Sequence, residues 1–240
     1  MESADFYKPC IEIGPREDGA TILAGFHDII KKGQANFRLV SYYKSLPLSY
    51  PATIAEIEQE VLDLDINQQQ AVALEADPRV FLKCGLFGKT ILGKALDVNV
   101  RRMTAKVRDF SFVEVMADRR NALRLEVMPH TEAEIRFEGT TIPGQLRDVS
   151  LGGLSIVSNS GCSLPKLAEV TIRTTIPCLV ENTEFRIEAK ACHVGTTIKS
   201  GNSICRFAFD TDMHVESLIS RYIFQRQVEI IKELKELALD

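Results

Sequence analysis

Apolar residues recur at three- and four-residue steps near the two ends of the chain. In DGATILAGFHDIIKKG these are Ile22, Leu23, Phe26, Ile29 and Ile30. That spacing predicts one amphipathic helix over about residues 19–33, with Asp18 capping its start and Gly33 its end. Residues up to about Pro15 read as poorly ordered or peripheral. In MHVESLISRYIFQRQVEIIKELKELALD, a stripe of Leu218, Ile219, Tyr222, Ile223, Ile230, Leu234 and Leu237 predicts a helix over about 212–239, with Asp212 as its cap. The plainer reading of its second half is core packing. The alternative is a helix that extends to a partner or a homodimer.

Between these helices the period falls to two. FRLVSYY, TIAEIEQEVLDLDIN, QAVALEA, RVFLKCG, KTILGKALDVNV and RMTAKVRDFSFVEV read as strands, separated by SLPLSYP, INQQ, ADP, LFG and NVRR as turn material. The second of these runs breaks strict alternation. A further series begins near Arg124: RLEV, TEAEIRFEG, TIPGQLRDVS, GLSIVS, LAEVTIRTTIP, TEFRIEAKACHVGT and GNSICRFAFD. Phe185, Ile187, Ala189 and Ala191 alternate with polar residues, and FEGTT and KSGNS suit tight hairpin turns. The pattern predicts a mainly β chain with two small β-barrel or split-barrel domains in tandem. Residues 1–115 would form the first, with the leading helix, and residues 116–240 the second, with the closing helix.

Composition narrows the chemistry. With 45% hydrophobic and 26% charged residues the chain reads as an ordinary globular protein. No run approaches the roughly 20 apolar residues of a membrane span, and the first residues lack a signal pattern, so a cytoplasmic protein with no membrane insertion is expected. The net charge of −4 argues against general binding to DNA, so any anion site must be a local cluster. The six cysteines and four histidines have no metal-ligand spacing, so reduced thiols and no metal or other cofactor are expected. No Ser/His/Asp set is evident, and GLFGKT at residues 85–90 has the wrong spacing for a phosphate loop. The expectation is therefore a protein that is not an enzyme.

Two short stretches stand out. ADRRNALRLEV places Arg119, Arg120 and Arg124 close together at the predicted domain boundary, where like charges call for an anion. LRDVSLGGLSIVS holds Asp148, Ser150, Gly152 and Gly153 at a strand end. Alone, the second reads as a turn built from Asp, Ser and Gly. Alone, the first is a pattern common by chance. Together and in order they are far more specific.

Arg120-Asn-Ala-Leu-Arg124 and Asp148-Val-Ser150-Leu-Gly-Gly153 resemble the two motifs of the PilZ domain, R-x-x-x-R and D/N-x-S-x-x-G. GNSICRFAFDTD resembles the last strand of that domain and LISRYIFQRQVEI its C-terminal helix, so the resemblance covers roughly residues 116–235. It implies a six-stranded barrel that binds the bacterial second messenger cyclic di-GMP. A preceding β domain joined through the arginine segment resembles the flagellar-brake (YcgR-like) arrangement. On that resemblance Arg120 and Arg124 grip phosphate and guanine, because the guanidinium fork bonds both in pairs. Asp148 accepts the guanine N1–H and N2–H₂ donors, Ser150 adds a hydrogen bond, and Gly153 lets the backbone come close, with Gly152 beside it in the candidate set. A basic residue at Arg119 goes, in that family, with binding two intercalated ligands. Arg206, on the last strand, joins the candidate set. Arg147 is expected to point away from Asp148, and for both Arg147 and Arg206 the plainer reading is a solvated face or a carboxylate partner. The implied partners are cyclic di-GMP and a protein, such as flagellar motor or exopolysaccharide machinery. The competing readings are a PilZ-like interaction domain that binds no nucleotide and a nucleic-acid-binding β-barrel.

Overall fold

A computed structural model of the chain describes residues 7–33, 36–159, 161–178, 180–181, 183–210 and 213–239. Those residues divide into two compact units, one within Met1–Tyr43, Pro47–Arg120 and Ile231–Asp240, the other within Lys44–Leu46 and Asn121–Ile230.

The first unit contains strands β1 (Tyr7–Pro9), β2 (Asn36–Tyr43), β3 (Leu46–Glu58), β4 (Val61–Asp65), β5 (Arg79–Lys83), β6 (Thr90–Asn99) and β7 (Thr104–Val115), with helices α1 (Pro15–Lys31) and α2 (Gln68–Ala76). The sheet order is β1-β7-β4-β3-β2-β5-β6, and β6 also pairs with β7, so the sheet curls back on itself. Ile22, Phe26 and Ile29 of α1 share one buried core with Leu39, Leu62, Leu64, Leu82, Ile91 and Val107. Phe26 meets the rings of Phe87 at 5.3 Å and Phe110 at 5.8 Å.

Several local expectations change here. The first helix begins at Pro15, whose fixed φ suits a first helical position, after an extended Gly14. Asp18 does not cap it. It is buried within the first turn, and its carboxylate accepts the backbone N–H groups of Glu12 at 2.9 Å and Ile13 at 3.1 Å. Gly33 does end the helix, at φ +67°. Residues Tyr7–Pro9, expected to be poorly ordered or peripheral, are peripheral but form an ordered edge strand against Val113–Val115. QAVALEA is helix α2 and not a strand. Asn67 caps it by accepting the Gln69 N–H at 2.9 Å, and Gln70–Leu74 are all buried. A short helix buried on so many sides shows no 3.6-residue stripe, so the pattern resembles a strand. The run TIAEIEQEVLDLDIN is a hairpin that turns at Gln59 and Glu60, both at positive φ, and SLPLSYP supplies the start of β3. Pro47 and Pro51 are exposed there and precede the stretch of β3 that pairs with β4.

The second unit is a closed six-stranded barrel of β8 (Leu125–Phe137), β9 (Thr140–Ser150), β10 (Gly153–Ser158), β11 (Glu169–Cys178), β12 (Thr183–Lys199) and β13 (Asn202–Asp210), in the order β10-β13-β12-β11-β8-β9. RLEV and TEAEIRFEG therefore join into one strand. The expected hairpin turns form at Glu138–Gly139 and Ser200–Gly201, with both residues of each at positive φ. Leu125, Ile135, Leu146, Leu154, Ile156, Ile172, Cys205 and Phe207 are buried at the barrel's centre. The alternation read in β12 continues to His193, which is buried between the Pro165 carbonyl and the Thr196 hydroxyl, each at 2.9 Å.

Helix α3 (Met213–Leu237) closes the described chain. Val215, Ile219, Tyr222 and Ile223 are buried in the barrel unit, where the Tyr222 hydroxyl donates to the Glu126 carbonyl at 3.3 Å. From Ile231 the helix counts with the first unit, where Tyr43 donates to Glu233 at 2.9 Å and Gln68 to the Ala238 carbonyl at 2.6 Å. Leu234 is fully buried. The core-packing reading of this second half therefore holds. Asp212, expected to cap the helix, lies outside the described residues.

Candidate functional site

The arginine stretch starts on a single 3₁₀ turn, Met116–Arg119, that follows β7. It is not a bare row of like charges. Arg119 Nε donates to Glu114 Oε1 at 2.7 Å, and Asp118 pairs with Lys83 at 2.7 Å. Arg120 ends the turn, with its N–H donating to the Ala117 carbonyl at 3.1 Å and its side chain exposed. The nearby Tyr42 phenol is pushed up to about 12, chiefly by burial and next by the Asp118 carboxylate, while the charge of Arg120 pulls the other way.

Arg124 lies immediately before β8, within the barrel unit. Asp148 lies near the end of β9. The hairpin that follows turns on Leu151 and Gly152, which pairs Ser150 with Gly153, Val149 with Leu154 and Asp148 with Ser155. Ser155 in turn faces Arg206 on β13, and Asp148 faces Glu126 on β8. Cross-strand partners point to the same face of a sheet. The neighbouring pairs Leu154–Phe207 and Ile156–Cys205 fill the interior, so Glu126, Asp148, Ser155 and Arg206 form a row across the outer surface.

Polar contacts lock the centre of this row. Ser155, only 1% exposed, donates to Asp148 Oδ2 at 2.5 Å. Arg124 Nε stands 3.4 Å from Asp148 Oδ1, and both of these atoms are buried without a hydrogen bond. Arg206 donates to the Thr197 hydroxyl at 2.7 Å. Arg147 departs from its expected direction. The register passes from Asp148–Ser155 to Leu146–Ile156, leaving Arg147 as the extra residue of a β-bulge. Its Nε comes to 3.9 Å from Asp148 Oδ2, so it faces Asp148 instead of pointing away. Of the two plainer readings for Arg147, a solvated face or a carboxylate partner, Asp148 supplies the second, as an ion pair at 3.9 Å.

The remaining motif residues build the hairpin. Ser150 is buried and donates to the Gly153 carbonyl at 3.0 Å. A Cβ on Gly153 would lie 2.1 Å from the Phe207 carbonyl oxygen, so close approach of β10 to β13 demands glycine. Gly152 is exposed, and a Cβ there would meet nothing within 4 Å. The structure thus gathers Arg124, Asp148, Ser155, Arg206 and Arg147 on one outer face and spends Ser150 and Gly153 on the turn beneath it. Ser155 was missed from sequence, although a two-residue turn at Leu151–Gly152 already places it opposite Asp148.

Among the described residues no group of three or more His, Cys, Asp or Glu gathers to hold a metal ion, and no helix is long and apolar enough to cross a membrane. All six cysteines are free thiols.

Residues 118–225 match the PilZ domain family. An uncharacterized protein of Aquifex aeolicus (strain VF5) is 26% identical over 129 residues, which is 54% of this chain, and the match spans 60% of that relative's length. Among solved structures, YcgR in complex with c-di-GMP from Escherichia coli aligns at TM-score 0.45 with 15% identity, covering 99% of each chain. The K. pneumonia MrkH–c-di-GMP complex aligns at 0.45 with 12% identity, covering 94% of this chain and 100% of that one. The Bacillus subtilis inhibitor of motility (MotI/DgrA) aligns at 0.41 with 14% identity, covering 81% and 97%.

Proposed function

Because the chain carries a PilZ domain at residues 118–225, we propose that it is a cyclic di-GMP receptor acting in the cytoplasm. Residues 1–115 would serve as its output module. The observation that carries this reading is the buried, hydrogen-bond-free Oδ1 of Asp148, standing beside the equally unsatisfied Nε of Arg124. The two opposite charges face each other as an ion pair at 3.4 Å, but neither atom gains a hydrogen bond from it, so both keep hydrogen-bonding capacity for a ligand. A guanine edge presenting N–H groups would give the carboxylate the hydrogen bonds it lacks, and a phosphate or guanine acceptor would do the same for the arginine. Arg120 and Arg124 supply the paired donors of the R-x-x-x-R motif. Arg119 would stack on or pair with a second ligand after release from Glu114. Arg206 and the open Gly152 border the same face. Ser150 and Gly153 hold the hairpin that presents Asp148.

Ligand capture by the arginine stretch would change how the two units are arranged and so regulate a protein partner in motility, biofilm or polysaccharide output. The test is isothermal titration of the full chain with cyclic di-GMP, with GTP as control. Tight binding is expected, and two ligands per chain would give Arg119 its role. Arg124→Ala should weaken binding by about 1.5–3 kcal/mol, roughly 10- to 150-fold, as one charged hydrogen-bonding group is lost. A folded wild-type chain that binds no cyclic di-GMP would overturn the receptor reading in favour of a nucleotide-blind interaction domain.

A further inference from the structure

A carboxylate alone does not identify guanine. Along its Watson–Crick edge guanine presents N2–H, N1–H and then the O6 acceptor. Asp148 matches the first two. Reading the third requires a donor beside the carboxylate. Adenine offers the opposite polarity at N1 and at its 6-position, so a carboxylate next to a donor both selects guanine and rejects adenine.

Three donor groups adjoin Asp148. The Ser155 hydroxyl already donates to Oδ2 and is almost wholly buried. Arg124 belongs to the R-x-x-x-R motif and faces Oδ1. Arg147 remains. In a regular strand its side chain would point to the barrel interior, opposite to Asp148. The β-bulge brings it to the outer face instead, with Nε 3.9 Å from Oδ2. That is an ion-pair distance but too long for a hydrogen bond, so none of its N–H donors is spent on Asp148. Its side chain is only 27% exposed, which limits the freedom a ligand would have to take from it.

Resting on the receptor reading above, the geometry points to Arg147 as a guanine-specificity residue that donates to O6 of the base whose N1–H and N2–H groups Asp148 accepts. Arg124 is then left for phosphate. The bulge is the structural device that makes this acceptor–donor pair from two consecutive residues.

The experiment compares two ligands on full-length wild type and Arg147→Met: cyclic di-GMP, and the cyclic dinucleotide of 2-aminopurine, which keeps the phosphates and the 2-amino group but lacks O6 and, with it, N1–H, a loss that both proteins share and that cancels when their preferences are compared. Wild type should prefer cyclic di-GMP strongly. In Arg147→Met that preference should narrow by about tenfold or more, since the partner of O6 is gone. Arg147→Gln, which retains an N–H donor, should restore part of the preference and stands in should the Met variant misfold. If both ligands lose affinity equally, Arg147 acts through phosphate or general charge and the specificity role is overturned. An unchanged affinity for both ligands overturns it as well. Failure of wild type to bind cyclic di-GMP would bring down the receptor reading itself and is a separate result.

Discussion

Gly153 owes its place to the neighbouring strand. Its missing Cβ is what lets β10 lie against the Phe207 carbonyl. Gly153→Ala should therefore destabilise the barrel by about 1–3 kcal/mol, the usual cost of forcing extra atoms into a packed site, visible as a lowered melting temperature. An unchanged melt would mean that β10 and β13 do not approach as described. Asp148 is the contrasting case. It is held from one side by Ser155, and its other oxygen meets Arg124 only as an ion pair at 3.4 Å, without a hydrogen bond. The two motif stretches were legible in sequence, but their division of labour was not. Sequence treats Asp148, Ser150 and Gly153 as one set, whereas the hairpin register separates the outward carboxylate from the buried turn-formers. Ser155 was derivable once the turn was placed. Arg147 was not, because a bulge shifts side chains by one position and leaves no mark in a two-residue period.

At the scale of the element, periodicity told the truth wherever one face was wet. Helix α1, helix α3 and strand β12 show their buried stripes plainly, and the turns at Glu138–Gly139 and Ser200–Gly201 follow from Gly accepting positive φ. It failed where burial surrounds the element, as in α2, and where proline suggested a turn inside β3. Helix α1 also carries a titratable anchor. The backbone N–H of Glu12, foremost, with those of Ile13 and Gly14, holds the Asp18 carboxyl below its ordinary 3.8, against the opposing effect of burial. A depressed folded value contributes stability that is present above the unfolded pKa and is lost as pH falls through the folded one. Asp18→Asn should thus be less stable than wild type at neutral pH, and the gap should close in buffers more acidic than the ordinary 3.8. Urea melts at the two extremes check this. A gap that persists in acid would show that Asp18 acts by packing and not by its charge.

For the molecule as a whole, the relevant fact is where the R-x-x-x-R motif falls in the chain. Arg120 ends one compact unit, and Arg124 lies in the other. On the receptor reading proposed above, and with a net charge of −4 that gives no broad positive field, affinity for a doubly charged ligand would come from these few side chains and Asp148. A ligand moves a conformational equilibrium only by its difference in affinity for the two states. If Arg120 contributes to binding in one arrangement of the units and not in another, the free energy of that contact is the driving force, about 1.5–3 kcal/mol for a charged hydrogen bond and enough to shift a population roughly 10- to 150-fold. Small-angle scattering of the wild-type chain should then change on saturation with cyclic di-GMP. Arg120→Ala, still binding through Arg124 and Asp148, should show weaker affinity and a smaller change at matched saturation. An unchanged wild-type curve at saturation, with binding confirmed by titration in the same buffer, would sink the reorientation mechanism while leaving the receptor intact.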